Sequence, residues 1–106
     1  MIASEKLMLQ RPGEQAFEIT IEVGAPYQVG HAPETWACPA SISSLNIELK
    51  KTHGNSSFQA ICLATSVVLH HLQEFKNLGG HIKYPNGCEF PLEAYSVGSM
   101  VKMYGG

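Results

Sequence analysis

The sequence has little charge, and the charge it has is spread thinly. Seven of its 106 residues are Lys or Arg and nine are Asp or Glu, which gives a formal net charge of −2 with histidine neutral. A nucleic-acid-binding domain needs clustered basic side chains to neutralise successive phosphates. Because no such cluster is present, we expect no nucleic-acid partner.

Long hydrophobic runs are also missing. The first residues include Glu5 and Lys6 and therefore do not build the apolar core of a signal peptide. The longest mostly apolar run, residues 60–69, contains Thr65 and Ser66 and has about half the length needed to span a bilayer. We expect a cytoplasmic protein with no membrane partner.

Cysteines are few, and no motif of known chemistry appears. Cys38, Cys62 and Cys88 are an odd number at irregular spacing, which argues against a disulfide framework. We expect Cys38 to be a small buried residue, Cys62 to lie on the inner face of a helix, and Cys88 to be exposed. The zinc, phosphate-loop and nucleophile-elbow patterns are absent, so no catalytic residue, metal or cofactor is predicted.

What the sequence does contain is alternation typical of strands. In residues 16–23 apolar and polar side chains alternate, and the Arg-Pro-Gly-Glu turn before them predicts a hairpin with residues 2–10. Leu7 and Leu9 would then face the core. Further strands are predicted from near Thr35, at residues 45–51, and on both sides of an Asn-Gly turn at 86–87. Residues 24–34 hold two prolines and two glycines and are predicted to be a long loop.

One long helix is predicted over residues 57–78. Ser56 or Ser57 can cap its start, and Gly79 can end it in the left-handed conformation. On a helical wheel one face is expected to cover the sheet. This face holds Phe58, Ile61, Cys62, Thr65, Val68, Leu69, Leu72 and Phe75.

These elements together predict an α+β fold, in which an antiparallel sheet of five to six strands is covered on one face by one long helix. The other sheet face, with Glu18, Thr20 and Glu22, is expected to lie in water. Residues 1–93 would form a single domain, and residues 94–106 a C-terminal tail.

A second apolar flank of the helix predicts a homodimer. The candidate interface is Ala60, Leu63, Ala64 and Val67, with His71 at its rim. The alternative is that the tail folds back over this flank through Val97, Met100, Val101 and Met103. His70 and His71 are adjacent and point about 100° apart, so they cannot chelate one metal from a regular helix. We expect His70 to pair with Glu74 in solvent.

The candidate recognition surface consists of Tyr27, His31 and Trp36 in and beside the predicted loop, because loops on a rigid sheet often carry function and aromatic side chains anchor contacts. The alternative for Trp36 is a packing role beneath the loop. A thiolate next to a histidine is reactive, so a small enzyme or ligand-binding protein with a pocket near Trp36 and Cys38 stays an alternative function.

Several short motifs occur in a recognisable order: Arg-Pro-Gly at 11–13, Trp-Ala-Cys-Pro at 36–39, Phe-Gln-Ala at 58–60, Gly-Gly at 79–80 and Phe-Pro at 90–91. This order resembles a family of small bacterial proteins of unknown function over roughly residues 2–92. The resemblance implies a bacterial accessory protein and brings no catalytic residue. We therefore predict a non-enzymatic binding or protein-interaction module.

Overall fold

A computed structural model describes residues 1–44 and 47–95, of which 47–51 are described through their backbone. The elements follow in the order β1 (Ala3–Gln10), β2 (Phe17–Val23), β3 (Tyr27–His31), β4 (Glu34–Ile42), β5 (Ile47–Gly54), α1 (Ser57–Asn77), β6 (His81–Lys83) and a short 3-10 helix (Leu92–Tyr95). None of the helices in these residues is long and apolar enough to cross a membrane.

The sheet of the described residues has six strands, and all of its strand pairs are antiparallel. One edge of β4 is shared by β2 and β3, and β5 pairs along the opposite edge. The order across the sheet therefore starts at β5, passes through β4, β2 and β1, and ends at β6. The helix α1 packs against one face, which confirms the predicted α+β fold.

The first hairpin forms as the alternation predicts. Leu7 pairs with Ile19 and Leu9 with Phe17, and Leu7, Leu9 and Ile19 are fully buried. Gly13, with φ of 73°, takes the left-handed conformation in the connecting turn. On the opposite sheet face Glu18 and Glu22 are exposed and Thr20 is half-buried.

The prediction of a long loop at residues 24–34 is wrong, because strand β3 lies within these residues. Pro26 immediately precedes the strand and Pro33 lies in the turn that follows, so neither proline removes a donor from within the strand. A bulge between Gln28 and Gly30 shifts the pairing with β4. The two prolines therefore delimit a strand instead of excluding one.

The helix begins and ends where its caps predict. The Ser56 side chain accepts a hydrogen bond of 3.1 Å from the backbone N–H of Gln59. At the other end Gly79 has φ of 93°, and the backbone N–H of Leu78 donates to the carbonyl oxygen of Glu74.

The predicted inner face of α1 is confirmed at Val68 and Leu72 and is wrong in its N-terminal half. The residues buried against the sheet are Ala60, Ala64, Val68 and Leu72. Phe58, which was predicted to face the sheet, is 76% exposed, and Cys62 and Thr65 are exposed as well. The helix approaches β5 so closely that a Cβ on Gly54 would lie 2.8 Å from the backbone nitrogen of Ala60. Only small side chains fit in this contact, so the alanines turn inward.

The core under the sheet-facing side of α1 divides into two clusters. We call the first the large-residue cluster; its buried members are Leu7, Leu9, Ile19, Ile21, Ile42, Val68, Leu72, Ile82, Phe90 and Leu92. The second, the small-residue cluster, consists of Val23, Cys38, Ala60 and Ala64, with Trp36 packed against it. The C-terminal half of α1 therefore lies on the large-residue cluster and the N-terminal half on the small-residue cluster.

The segment after the helix is simpler than predicted. Gly87, with φ of 91°, forms the expected turn, but the strand predicted after this turn is reduced to one bridge between Lys83 and Glu89. The Tyr95 ring stacks on Phe90 with centroids 5.0 Å apart. Leu45, where a strand was predicted to begin, and tail residues 96–106, with the four apolar residues proposed to fold back, lie outside the described residues.

Candidate functional site

The predicted recognition surface does not form one site. Trp36 is half-buried against the small-residue cluster, and its Nε1–H donates to Glu34 Oε1 at 2.7 Å. Tyr27 lies opposite Ala37 in the neighbouring strand, so it belongs to the sheet face opposite that of Trp36. His31 lies opposite Glu34 at the hairpin end, with Nδ1 3.1 Å from Gln28 Nε2. Trp36, itself a residue of the β3–β4 hairpin, therefore packs against the small-residue cluster, which supports its alternative interpretation as a packing residue.

Cys38 is a buried structural residue. It is fully buried, and its thiol donates to the carbonyl oxygen of Gly24 at 3.4 Å and more weakly to that of Pro39 at 3.9 Å. Burial raises the pKa of the Cys38 thiol, so the thiol stays protonated at neutral pH. A buried thiol bonded to backbone carbonyls is not an activated nucleophile.

The other two thiols are both exposed. This confirms the prediction for Cys88, which lies beside a turn. It corrects the prediction for Cys62, which was expected on the inner helix face and lies on the exposed side of α1, because Ala60 and Ala64 face the sheet instead.

The two histidines of α1 behave as the sequence predicts. His70 Nε2 lies 3.1 Å from Glu74 Oε1 one turn later, and both side chains are largely exposed. His71 is half-buried, with its ring edge-on to that of His70. Across residues 1–44 and 47–95, no group of three or more His, Cys, Asp or Glu side chains is arranged to hold a metal ion.

Two of the predicted interface residues cannot contact a second molecule. Ala60 and Ala64 are 0% and 1% exposed, because they line the close contact between α1 and the sheet. Leu63 is 41% exposed, and Val67 and His71 are half-buried at the flank of the helix. The interface prediction is therefore corrected at the alanines, and the dimer itself stays a prediction.

A groove of about 390 Å³ runs between β5 and the exposed flank of α1. We call it the β5–α1 groove, and its lining residues are Thr52, His53, Leu63, Ser66, Val67 and His70. Leu63 and Val67 supply its apolar surface. The sequence prediction missed the contribution of β5, although one signal was available: residues 52–73 contain no Asp, Glu, Lys or Arg.

The exposed hydroxyl group of Ser66 in the groove already has a partner. Ser66 Oγ donates to the carbonyl oxygen of Cys62 at 2.8 Å, as Thr65 Oγ1 on the other flank of the helix donates to that of Ile61 at 2.9 Å. Covering Ser66 leaves no hydroxyl donor without a partner, so its burial costs less than that of a solvated hydroxyl. The surface can therefore be buried against an apolar partner.

In comparisons with protein-family models, curated proteins and solved structures, the chain has no match. The resemblance to a bacterial family of unknown function therefore stays an expectation, and the function has to be inferred from the geometry of the β5–α1 groove.

Proposed function

We propose that this chain is a non-enzymatic protein-interaction module and that the β5–α1 groove is its contact surface. The observation that carries the proposal is an uncharged, partly apolar helix surface exposed beside a strand. Leu63 in the groove is 41% exposed, and Phe58 near the start of the same helix is 76% exposed. A bacterial accessory role and a cytoplasmic location belong to the same proposal.

The lack of charge on this surface supports an interface. The solvent-facing side of an amphipathic helix normally carries charged residues, and the core of a protein interface is depleted of them. Charged side chains enter α1 only in its last turns, with Glu74 and Lys76. The helix thus has an ordinary solvated end and an uncharged end, and the groove lies along the uncharged part.

The alternative of a small enzyme or ligand carrier near Trp36 and Cys38 has weaker support. The Trp36 indole N–H is bonded to Glu34, and the Cys38 thiol is bonded to backbone carbonyls. Neither group is presented to a ligand, and a thiol with a raised pKa is a poor nucleophile. The groove itself is lined by Thr52 and five other residues, and neither Trp36 nor Cys38 is among them.

Site-specific photo-cross-linking in cells that make the protein tests the proposal. A benzophenone amino acid replaces Leu63 in the groove or, as a control, Glu18 on the opposite sheet face. We expect a protein adduct at position 63 that mass spectrometry identifies, and none at position 18. The adduct should disappear when Ser66→Lys adds a charge to the groove. The proposal is contradicted if no protein adduct forms at position 63, or if the purified chain retains a small molecule stoichiometrically.

A further inference from the structure

We propose that the β5–α1 groove is filled by a second copy of this chain, which pairs with β5 in antiparallel fashion and places its own α1 against the first. This inference rests on the proposed function and names the partner. It replaces the predicted alanine interface by the outer edge of β5 and the helix flank that carries Leu63 and Val67.

The first argument is the free edge of the sheet. In the part of the chain that the structure describes, β5 pairs with β4 alone, and β2 and β3 occupy the other edge of β4. Among residues 1–44 and 47–95, the outward backbone N–H and C=O groups of β5 therefore face no neighbouring strand. Two copies of one strand can pair antiparallel about a twofold axis, since the donors of each copy then meet the acceptors of the other.

The other strand edges are less suited to this pairing. At the far side of the sheet, the backbone N–H of Phe90 donates to the carbonyl oxygen of Ile82, and Lys83 bridges to Glu89, so returning chain covers β6. Strand β3 has five residues and is interrupted by the bulge between Gln28 and Gly30. Strand β5 has eight residues, and although its pairing with β4 also shifts register, between Cys38 and Ala40, it offers the longest open edge among the described strands.

The second argument is that the groove lies along this same edge. Thr52 and His53 of β5 form one side of it, and Leu63 and Val67 of α1 form the other. A strand added to β5 brings its own helix to the same side of the sheet, next to the first helix. Edge and groove are thus covered together by one twofold contact, in which each copy uses the same patch.

The third argument is charge. A twofold contact places equivalent groups of the two copies near each other, so a charged flank would repel its own copy. Residues 52–73 carry no Asp, Glu, Lys or Arg, so the helix flank and the end of β5 beside the groove are compatible with a second copy. The first part of β5 contains Glu48, Lys50 and Lys51, so this neutrality holds for the groove and not for the whole strand edge. A strongly charged foreign partner would find no opposite charge in the groove, which favours a second copy over a charge-steered partner there.

Light scattering of the purified full-length protein tests this inference with two matched variants. Leu63→Glu places a charge in the groove, and Thr65→Glu places the same charge on the other flank of the same helix. Both positions are exposed, so both variants should keep the native far-UV spectrum and melting temperature of the isolated chain. We expect the wild type and Thr65→Glu to be dimers and Leu63→Glu to dimerise more weakly by about a hundredfold or more, because its charge is buried without a partner.

A wild type that remains monomeric from micromolar to sub-millimolar concentration overturns the inference. So does a dimer that Leu63→Glu leaves intact, since its interface would lie elsewhere. The proposed function fails separately, because its test is the adduct at position 63. If the wild type is a monomer and position 63 cross-links to a different protein, the proposed interaction module is supported and the second copy is ruled out. If position 63 cross-links to residues 96–106 of the same chain, both proposals fail, because the tail occupies the groove.

Discussion

The two ends of α1 lie on the same sheet but on different kinds of core. At the C-terminal end Leu72 is buried among large aliphatic and aromatic residues. There the rings of Phe17 and Phe75 meet edge-on at 6.3 Å, and the Arg11 guanidinium lies 5.1 Å and 5.5 Å from their centroids. At the N-terminal end Ala60 and Ala64 allow a close approach to the strands.

This difference shows how one helix can serve two purposes. Large side chains at its C-terminal end fill the space between helix and sheet and contribute most of the apolar burial. At its N-terminal end the close approach is stabilised by a hydrogen bond of 3.1 Å from Thr52 Oγ1 to the carbonyl oxygen of Ala60. The outer flank there remains open beside β5. Stability is therefore concentrated at one end and available contact surface at the other.

Removing a large core side chain should have the largest effect. Leu72, which is 1% exposed, fills the large-residue cluster, and Leu72→Ala is expected to lower the free energy of unfolding by about 2–5 kcal/mol. Leu63→Ala makes the same change on the same helix at an exposed position and should cost less than about 1 kcal/mol in the isolated chain. Urea denaturation at low protein concentration measures both. An equal loss in the free energy of unfolding for the two variants would contradict the difference in burial between Leu72 and Leu63.

The close approach at the other end can be tested by adding a methyl group. Gly54→Ala places a Cβ 2.8 Å from the backbone nitrogen of Ala60, so helix and strand must separate. We expect a loss of about 1–3 kcal/mol in the free energy of unfolding. The control is Gly30→Ala, whose Cβ would lie 3.4 Å from its nearest neighbour, the carbonyl oxygen of Pro33. If Gly54→Ala is no more destabilising than the control, the helix does not lie as close to β5 as described.

The smallest effect is expected at the solvated end of α1, where Lys76 Nζ lies 2.7 Å from Glu93 Oε1. The hydrogen bond from Lys76 lowers the pKa of Glu93, and the same bond raises the pKa of Lys76. The contribution of Glu93 to stability is present above its unfolded-state pKa and is lost as pH falls through its lowered folded-state pKa. That of Lys76 is present below its unfolded-state pKa and is lost as pH rises through its raised folded-state pKa.

Glu93→Gln should therefore lower the melting temperature slightly near neutral pH and have no effect in strong acid, where the carboxylate is protonated. Glu18→Gln on the open sheet face is the control for a change in net charge. Thermal unfolding of both variants at neutral and strongly acidic pH measures the difference. A Glu93→Gln effect that persists unchanged in acid would contradict the ion pair as its cause.

Sequence patterns correctly predicted those elements whose formation depends on neighbouring residues in the chain. The alternation around Ile19 predicted the first hairpin, and Ser56 and Gly79 predicted the ends of the helix. Strand β3 was missed because prolines were counted without regard to position, although both lie outside the strand. The helical wheel identified Val68 and Leu72 as buried but missed Ala60 and Ala64, because it gives large apolar side chains more weight than alanine. A close contact selects small ones, and Gly54 was the sequence signal for that contact.

The candidate site was less predictable, because it depends on which strand lies next to the helix. Leu63 and Val67 were identified from the helix alone, but Thr52 and His53 enter the groove only through the position of β5. The grouping of Tyr27 with Trp36 failed because neighbouring strands place them on opposite sheet faces. Contacts between elements distant in sequence cannot be read from the periodicity of either element.

The most direct test of the account is amide hydrogen exchange in β5, followed residue by residue by NMR over a dilution series. In a twofold strand pair, amides of Ile47–Gly54 that point away from β4 are hydrogen-bonded to the second copy. The account predicts that these amides exchange slowly in concentrated samples and faster on dilution, while exchange in β1 and β2 does not change. Outward amides of β5 that exchange rapidly at every concentration would contradict it.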